Sequence, residues 1–391
     1  MKLVVIGLGQ CGSRIADEFA RLNGRARRER RIEIITDAFA VNTDLADLSG
    51  LSSLRSDFKH RILIGGRKTS GHGVGKINER AAEIAKADSD KIIDAIRATK
   101  RFYESDAFLL VASTAGGTGS GSIPVLTQTI KHRYVDKPVY ALLVLPFEHE
   151  EENEARTIYN TATCLKSVAP MADATILVDN QRYIKKDLSL RNNMAKINKL
   201  IVEPFYDLLC AGEEKKVKHI GARVLDAGDT MQTLSGWTVI GYGKSELPLI
   251  SLPFMRTPNF RKKSTETHKG IQAMDGAISE LSLECNPQDS NRALYLLAAP
   301  AREMNMDLVK ELADYLNNIA PKAIIRYGDY PRGGGTLTVT VILSQLKNVL
   351  KVKKYYDEFP EAMEKKKRVE EDIEVGIKEL MKAPIGIPTL I

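Results

Sequence analysis

The residues best suited to chemistry in this chain form a glycine-rich segment, A-G-G-T-G-S-G-S, at positions 115–122. Four glycines leave its backbone free to curl, so that several N–H groups can point at one anion. The apolar run at 123–130 predicts a helix whose partially positive N-terminal end faces the same anion. We therefore expect a phosphate-binding loop made of Gly116, Gly117, Thr118, Gly119, Ser120 and Gly121.

This loop differs from the Walker type, G-x-x-x-x-G-K-[ST], because it has no lysine to reach the terminal phosphates. A triphosphate would have to be held by backbone amides, hydroxyls, a helix dipole and a metal ion. A second candidate cradle is G-L-G-Q-C-G at 7–12, which follows the apolar strand pattern of residues 2–6.

The G-x-G-x-x-G spacing of this second cradle also fits the dinucleotide turn of an NAD-dependent oxidoreductase. That alternative needs an acidic residue about 20 positions further on, and Glu33 and Asp37 lie in that region. The presence of a second glycine loop counts against it, because one turn suffices for a dinucleotide.

Strands and helices alternate through the first half of the chain, which predicts an α/β fold with a mainly parallel sheet covered by helices on both faces. Ligands of such sheets bind at the carboxyl ends of the strands, where both glycine loops fall. A third group, Gly71-His72-Gly73-Val74-Gly75, precedes a helix expected from Asn78 and adds amides for a terminal phosphate. The predicted strands are 2–6, 32–40, 61–64, 107–112, 138–145 and 174–178.

The second half of the chain predicts a smaller α+β unit that packs on a long central helix, expected from Leu190 to Leu209. Residues 331–335 are predicted to form a hairpin turn, and residues 361–382 a charged helix. The proline-containing apolar tail at 383–391 either binds a protein partner or packs on the body. The predicted divisions are a nucleotide-binding domain at 1–185, the central helix and its following loop at 186–235, the α+β domain at 236–350 and the C-terminal helix and tail at 351–391.

Composition limits the class of protein. The 391 residues, 43% hydrophobic and 27% charged, can bury two cores. The four cysteines have no C-x-x-C spacing, which argues against a zinc site or a disulfide framework. No apolar run is long enough for a membrane span and the chain does not start with a signal pattern, so a cytoplasmic protein is expected.

The net charge of +7 would permit nucleic-acid binding, but we expect none. The basic clusters at 25–31 and 365–368 are not interleaved with aromatic residues, as a single-strand groove requires. We expect solvated surfaces there, and contacts between filaments or with an acidic surface remain the alternative.

Together these motifs resemble the tubulin/FtsZ superfamily. Gly9-Gln10-Cys11-Gly12 is similar to tubulin's opening nucleotide loop, and residues 116–121 resemble the superfamily signature G-G-T-G-S-G. The chain length, Gly71–Gly75 and Val178-Asp179-Asn180 resemble the archaeal CetZ group most. The resemblance extends to about residue 350. It implies a protein that binds GTP or GDP with Mg²⁺ and polymerises head to tail, with a role in cell shape or division.

The resemblance also implies individual nucleotide contacts. Asn180 aligns with the base-contacting asparagine, and Asn198 resembles the asparagine of tubulin's L-N-R-L-I. Both favour GTP over ATP, because an amide can accept from and donate to guanine. Met194 lies one turn before Asn198 and packs either on the base or in the core. Ser13 and Arg14 extend the opening loop, and Gly71 and Gly73 are implied to sense the terminal phosphate.

Two further assignments leave alternatives open. FtsZ has a proline, a glutamate four residues later and an arginine four residues after the glutamate. In this chain the first spacing, counted from Pro146, selects Glu150. The second spacing, counted back from Arg156, selects Glu152. We favour Glu150 for the ribose contact. Asp44, in a segment that resembles the FtsZ motif N-T-D, either holds Mg²⁺ through water or caps the next helix.

The hydrolytic residues implied by the resemblance are Asp226 and Asp229, which reproduce the D-x-x-D spacing of an FtsZ loop. In that family the loop lies at the far end of the central helix from the nucleotide. Asp229 would then activate water on a neighbouring subunit's GTP, with Asp226 as its partner, so that self-assembly activates the GTPase. The alternatives are two acids that cap a helix and a GTP-dependent scaffold that does not hydrolyse.

Overall fold

The computed structural model describes residues 1–184, 190–247 and 259–382. The apolar tail predicted at 383–391 lies outside the described residues. Within them, no helix combines the length and apolar character needed to cross a membrane.

Ten strands of the described chain form one sheet in the order β3-β2-β1-β4-β5-β6-β7-β10-β8-β9. The pairs from β3 to β7 are parallel. β1, β5 and β6 are buried along their whole length, as is typical of parallel strands covered on both faces. The strands are Leu3–Leu8 (β1), Ile35–Asn42 (β2), Arg61–Leu63 (β3), Ala107–Ser113 (β4), Val139–Leu145 (β5), Ala174–Asp179 (β6), Gly236–Glu246 (β7), Arg292–Ala299 (β8), Ile324–Pro331 (β9) and Thr336–Ser344 (β10).

Helices cover both faces of the sheet. Alternate strand residues point to opposite faces, so Val4 and Ile6 belong to one core, while Leu3 and Val5 belong to the other. The helices are Gly9–Glu29 (α1), Leu45–Ser49 (α2), Gly66–Thr69 (α3), Asn78–Ala87 (α4), Ser89–Arg97 (α5), Thr118–Arg133 (α6), Glu148–Asn153 (α7), Ala155–Val168 (α8), Leu190–Val202 (α9), Pro204–Ala211 (α10), Ala227–Thr233 (α11), Asn259–Ser279 (α12), Met306–Ile319 (α13) and Leu350–Lys382 (α14). The predicted α/β architecture and its six first strands are confirmed, with ends shifted by a few residues.

The central helix differs from the prediction, because it is divided into α9 and α10 at Pro204. Proline has no N–H to donate to the preceding turn, and its ring crowds the carbonyl four residues earlier. Beside this break lies Arg25 of the basic cluster at 25–31, which belongs to α1. Its guanidinium donates to both oxygens of Glu203 at 2.8 and 3.0 Å and lies 3.8 Å from the ring centre of Tyr206. The expectation of a merely solvated cluster is therefore wrong for Arg25.

The hairpin predicted at 331–335 is wrong, because β9 and β10 lie on opposite sides of β8. β8 and β9 are parallel neighbours, and α13, which the sequence did not indicate, returns the chain between them. Residues 332–335 then cross the end of β8, where Arg332 N donates to Ala299 O at 2.9 Å. β7 pairs with β6 over three residues, so the second unit extends the main sheet.

α14 begins at Leu350, well before the predicted start at residue 361. Pro360 lies inside it, on the exposed side of the helix. Val352, Tyr355 and Ala362 are buried along the opposite side. This burial offsets the hydrogen bond that proline removes, because tertiary packing supplies most of a helix's stability.

Candidate functional site

The glycine segments at 7–12 and 116–121 meet at one edge of the sheet. β1 and β4 are parallel neighbours, with Leu8 opposite Ala112, so the turns that follow them lie side by side. Gly9 has φ +69°, and a Cβ there would lie 2.8 Å from the backbone nitrogen of Gly119. Only glycine allows this approach, and the two segments therefore form one surface.

The N-terminus of α6 provides the centre of this surface. The helix begins at Thr118 with Gly117 as its cap, so N–H groups of its first turn have no partner within the helix. A Cβ on Gly116 would meet no protein atom within 4 Å, whereas one on Gly121 would lie 2.0 Å from Asn78 O. Space is thus left open above Gly116 while the rest of the loop packs tightly, which fits an anion bound by backbone donors.

The third glycine group lies against this loop. Gly71 and Gly73 have φ of +77° and +79°. The Gly73 N–H donates to Thr43 O at 3.1 Å, which anchors the group to the chain leaving β2. A Cβ on Gly117 would lie 2.7 Å from the Val74 side chain. All three glycine segments identified in the sequence therefore line the same edge.

The segment after β2 completes this edge and shows a contact that sequence analysis missed. The hydroxyls of Thr43 and Thr118 are hydrogen-bonded at 2.7 Å, which joins this segment to α6. Asp47 accepts from the amide of Gln10 at 2.7 Å and from that of Asn42 at 2.9 Å. The only sequence signal for these contacts is the position of N-T-D at a strand end.

Asp44 caps α2, which is one of its two predicted roles. Its Oδ1 accepts from Ala46 N at 2.8 Å and from Asp47 N at 3.2 Å. No group of three His, Cys, Asp or Glu suited to holding a metal ion occurs among the described residues. Mg²⁺ keeps several waters and takes substrate phosphates as ligands, so Asp44 Oδ2 and the hydroxyls of Thr43 and Thr118 fit a water-mediated site.

Asn160 is a site residue that sequence analysis missed. It is fully buried on α8, and its amide donates to Lys76 O at 2.9 Å, Ala115 O at 3.1 Å and Gly116 O at 3.3 Å. One side chain thus ties the phosphate loop to the end of the third glycine group. An asparagine inside a helix has no local pattern that indicates such a role.

Arg156 lies at the third glycine group. Its Nε donates to Lys76 O at 3.0 Å, and its Nη2 donates to Glu79 at 2.5 Å. Lys76 follows the glycines directly, and its ammonium group is paired with Glu154. A lysine therefore lies beside the candidate phosphate site even though the loop itself contains none.

The structure separates the two glutamates predicted for ribose. Glu150 Oε2 accepts from Phe147 N at 3.0 Å, and the charge of Glu150 acts on Cys11 in the opening loop. Glu152 is exposed and lines a groove with residues of α14, so the structure does not bring it to the glycine segments. Glu150 and Glu152 lie on different sides of one helix turn, so the geometry favours Glu150, and the ribose contact stays a prediction.

Cys11 lies in the opening loop, at the start of α1. Burial raises its pKa to about 12, Arg14 opposes that rise and Glu150 adds to it. All four cysteines, which lie within the described residues, are free. Gln10 and Arg14 are exposed at the start of α1, while Gly12 and Ser13 are buried.

The predicted base contacts lie on two elements, the turn after β6 and the helix α9. Asn180 directly follows β6 and is 8% exposed. Asn198 is half-buried on α9, which packs along α1. Met194, one turn earlier, packs against the core, which is one of the two positions predicted for it.

The acids expected of an NAD-binding turn are not at this edge. Glu33 pairs with Arg27 and Arg101, before β2 begins. Asp37 lies near the start of β2 and accepts from the Thr99 hydroxyl at 3.2 Å. The carboxyl end of β2, where a ribose would lie, carries Asn42 and Thr43 instead, and the dinucleotide interpretation is wrong.

Asp226 and Asp229 lie at the opposite edge of the sheet. α11 leads into β7, whose first residue Gly236 pairs with Ala174, the first residue of β6. β6 has six residues, so roughly 20 Å of strand separates this end from Asn180. Asp226 Oδ1 caps α11 by accepting from Asp229 N at 2.8 Å, while the Asp229 carboxylate is 42% exposed.

Comparisons with known proteins agree with this geometry. Residues 2–186 match the tubulin/FtsZ family GTPase domain, and residues 187–361 match the C-terminal domain of tubulin-like CetZ. Tubulin-like protein CetZ1 of Haloferax volcanii is 33% identical over 367 residues, which cover 90% of each chain. The chain belongs to the tubulin-like CetZ family. The NAD-dependent alternative is thereby excluded.

Solved CetZ structures share the whole architecture. The GDP-bound CetZ1 monomer of Haloferax volcanii has a TM-score of 0.79 at 30% identity, covering 93% of this chain and 100% of that one. The GTPγS-bound CetZ2 protofilament from the same organism has a TM-score of 0.80 at 28% identity, covering 94% and 100%. The predicted tubulin/FtsZ fold is therefore confirmed.

Proposed function

We propose that this CetZ-family chain binds GTP at the carboxyl edge of its sheet and polymerises head to tail, and that each GTP is hydrolysed at the contact between two subunits. One observation carries the proposal: the phosphate cradle around Gly116 and the exposed carboxylate of Asp229 lie at opposite edges of one sheet. Because the cradle and the Asp229 carboxylate of one subunit lie too far apart to act together, a neighbouring subunit is needed to complete the site.

The proposed ligand is a guanine nucleotide. Its phosphates lie over Gly116 and the first turn of α6, where backbone N–H groups and the helix dipole stabilise negative charge. Asn180 and Asn198 contact the base, and Glu150 contacts the ribose. The solved relatives carry such ligands, since one is GDP-bound and another is a GTPγS-bound protofilament.

The chemistry is then divided between two subunits. The glycine segments of one subunit orient the terminal phosphate, with Thr43 and Thr118 beside it. Asp229 of the next subunit orients a water in line with that phosphate and accepts its proton, and Asp226 holds the turn that presents it. Asp44, through water, and the phosphates would hold Mg²⁺, which would neutralise part of the phosphate charge when bound.

This arrangement favours filaments over closed oligomers. The two contacting surfaces differ, so the interface is heterologous, and repeated stacking gives an open polymer unless a rotation closes it. Because Asp229 reaches only a neighbour's nucleotide, turnover depends on assembly. We propose that these filaments act in the cytoplasm in cell shape or division.

The first test is the concentration dependence of phosphate release with GTP and Mg²⁺. Turnover per subunit should rise steeply above a threshold protein concentration, and electron microscopy should show filaments with GTP above the same threshold. Constant specific activity would contradict a shared site. Filaments without phosphate release would support the second candidate, a GTP-dependent scaffold.

A mixing experiment tests the shared site directly. Asp229→Asn keeps the phosphate cradle and loses the acid, so its phosphate release should fall about 100-fold while GTP binding is retained. Gly119→Ala keeps the acid but places a Cβ 2.9 Å from Leu8 O and disturbs the cradle. Each variant alone should release phosphate slowly, and their mixture should regain hydrolysis. An inactive mixture that still forms filaments would argue that both halves act within one subunit.

A further inference from the structure

The C-terminal helix α14 contacts three segments that carry the proposed nucleotide site. It packs along α8, outside the glycine segments. Four of its residues, Lys351, Lys354, Tyr355 and Lys366, make these contacts and are called the α14 clamp here. None of the four belongs to a recognised nucleotide-binding segment.

The first contact holds the glutamate segment after β5. Glu151 is 7% exposed, and both of its carboxylate oxygens are occupied by α14: Tyr355 Oη donates at 2.5 Å and Lys354 Nζ at 2.9 Å. A buried carboxylate is costly unless it is paired, so this contact fixes α7 against α14. Glu150, the proposed ribose contact, is the preceding residue.

The second contact holds the end of β6. Lys351 Nζ lies 2.8 Å from Asp179 Oδ2, and both side chains are largely buried. The other oxygen of Asp179 accepts from Gln181 N at 3.0 Å, which shapes the turn around Asn180. The proposed base contact is therefore held from outside by α14.

The third contact reaches the phosphate side. Lys366 Nζ lies 2.9 Å from Glu79 Oε1 and 4.0 Å from the ring centre of Tyr159. Glu79 also accepts from Arg156, which in turn holds Lys76 O beside the third glycine group. The ammonium group of Lys366 on α14 is thus connected, through Glu79 and Arg156, to the third glycine group, which is proposed to contact the terminal phosphate.

We infer that α14 is a positioning element of the nucleotide site, in which Tyr355, Lys354 and Lys351 hold the base and ribose contacts and Lys366 holds the terminal-phosphate loop. This inference rests on the proposed GTP binding. The inference predicts that substitutions at the two ends of the α14 clamp affect nucleotide affinity differently. Loss at the Tyr355 end weakens GTP and GDP alike, whereas loss at the Lys366 end weakens GTP alone, because GDP has no terminal phosphate.

The experiment measures dissociation constants of full-length protein for GTP and GDP, together with the unfolding midpoint without nucleotide. Tyr355→Phe should weaken both nucleotides about ten-fold, because it removes a hydrogen bond to a buried carboxylate. Its KM should rise while kcat at saturating GTP is retained, as expected when binding alone is affected. Lys366→Gln should weaken GTP a few-fold and leave GDP unchanged.

Lys365→Gln is the matched control, since Lys365 is the adjacent lysine, is 62% exposed and pairs with Glu361 on the same helix. It should bind both nucleotides as the unaltered protein does. Lys354→Met replaces Tyr355→Phe if that variant does not fold, because Lys354 is 47% exposed at the side chain.

Two failures are distinguishable. If the unaltered protein binds neither GTP nor GDP, the proposed function itself is wrong. If it binds both and the clamp variants have lower unfolding midpoints with unchanged dissociation constants, α14 is structural only and the inference alone is overturned. Equal weakening of GTP and GDP by Lys366→Gln would also overturn the assignment of that residue to the phosphate side.

Discussion

Arg326 of β9 holds the carboxylate of Asp229, with Nε and Oδ1 3.4 Å apart. The same guanidinium donates through Nη2 to Gln232 Oε1 at 2.5 Å, further along α11. The acid proposed to act on a neighbouring subunit is thus oriented by a strand of its own subunit. A partly exposed ion pair adds little stability, so its effect is expected mainly in the direction of the carboxylate.

We predict that Arg326→Gln lowers phosphate release in filaments by a few-fold to ten-fold and leaves GTP affinity unchanged, because the subunit's own nucleotide lies at the opposite edge. Arg326→Lys keeps the charge and should recover part of the rate. Phosphate release above the assembly threshold and nucleotide titration check this. Unaltered turnover in Arg326→Gln would show that Asp229 needs no orientation by the arginine.

Two glycines of one loop give opposite predictions for stability and binding. Gly116→Ala should leave the unfolding midpoint unchanged, because its Cβ meets no protein atom within 4 Å, yet weaken GTP at least about ten-fold by filling the cradle. Gly121→Ala should destabilise the fold by about 1–3 kcal/mol, because its Cβ would lie 2.0 Å from Asn78 O and push α4 from α6.

Thermal unfolding without nucleotide and GTP titration separate the two effects. Normal GTP affinity in Gly116→Ala would remove this loop from the proposed phosphate site. A Gly121→Ala protein as stable as the unaltered one would mean that α4 moves away at little cost.

The sequence predicted the features that depend on local chemistry. Glycine segments at strand ends predict a phosphate cradle because the backbone conformations that such a cradle needs depend on consecutive residues. Contacts between distant residues leave no such pattern, and Tyr355 and Glu151 are 204 positions apart. The error at residues 331–335 has the same origin, because glycines indicate a turn but do not show which strand lies beyond it.

Asn160 is expected to control the shape of the phosphate loop. Asn160→Ala removes the donor shared by three carbonyl oxygens and should destabilise the protein by about 1–3 kcal/mol, with weaker GTP binding. Asn160→Asp has the same shape but places a carboxylate against those oxygens and near the phosphates, so it should bind GTP more weakly than Asn160→Ala. Nucleotide titration of both variants checks this order, and the reverse order would contradict the donor role of the amide.

Glu79 makes the third contact of the α14 clamp dependent on pH. Burial acts to raise its pKa, but hydrogen bonds from Lys366, its own backbone and Tyr159, with the charge of Arg156, lower it below the ordinary 4.5. A carboxyl whose pKa is lowered in the folded state adds stability that is present above its unfolded pKa and is lost as pH falls through the folded value. The difference in unfolding free energy between the unaltered protein and Glu79→Gln should therefore be largest near pH 6 and shrink as the pH is lowered below about 4.5. Denaturant unfolding of both proteins across this range measures it, and a difference that stays constant would show that the ionised carboxylate does not hold the contact.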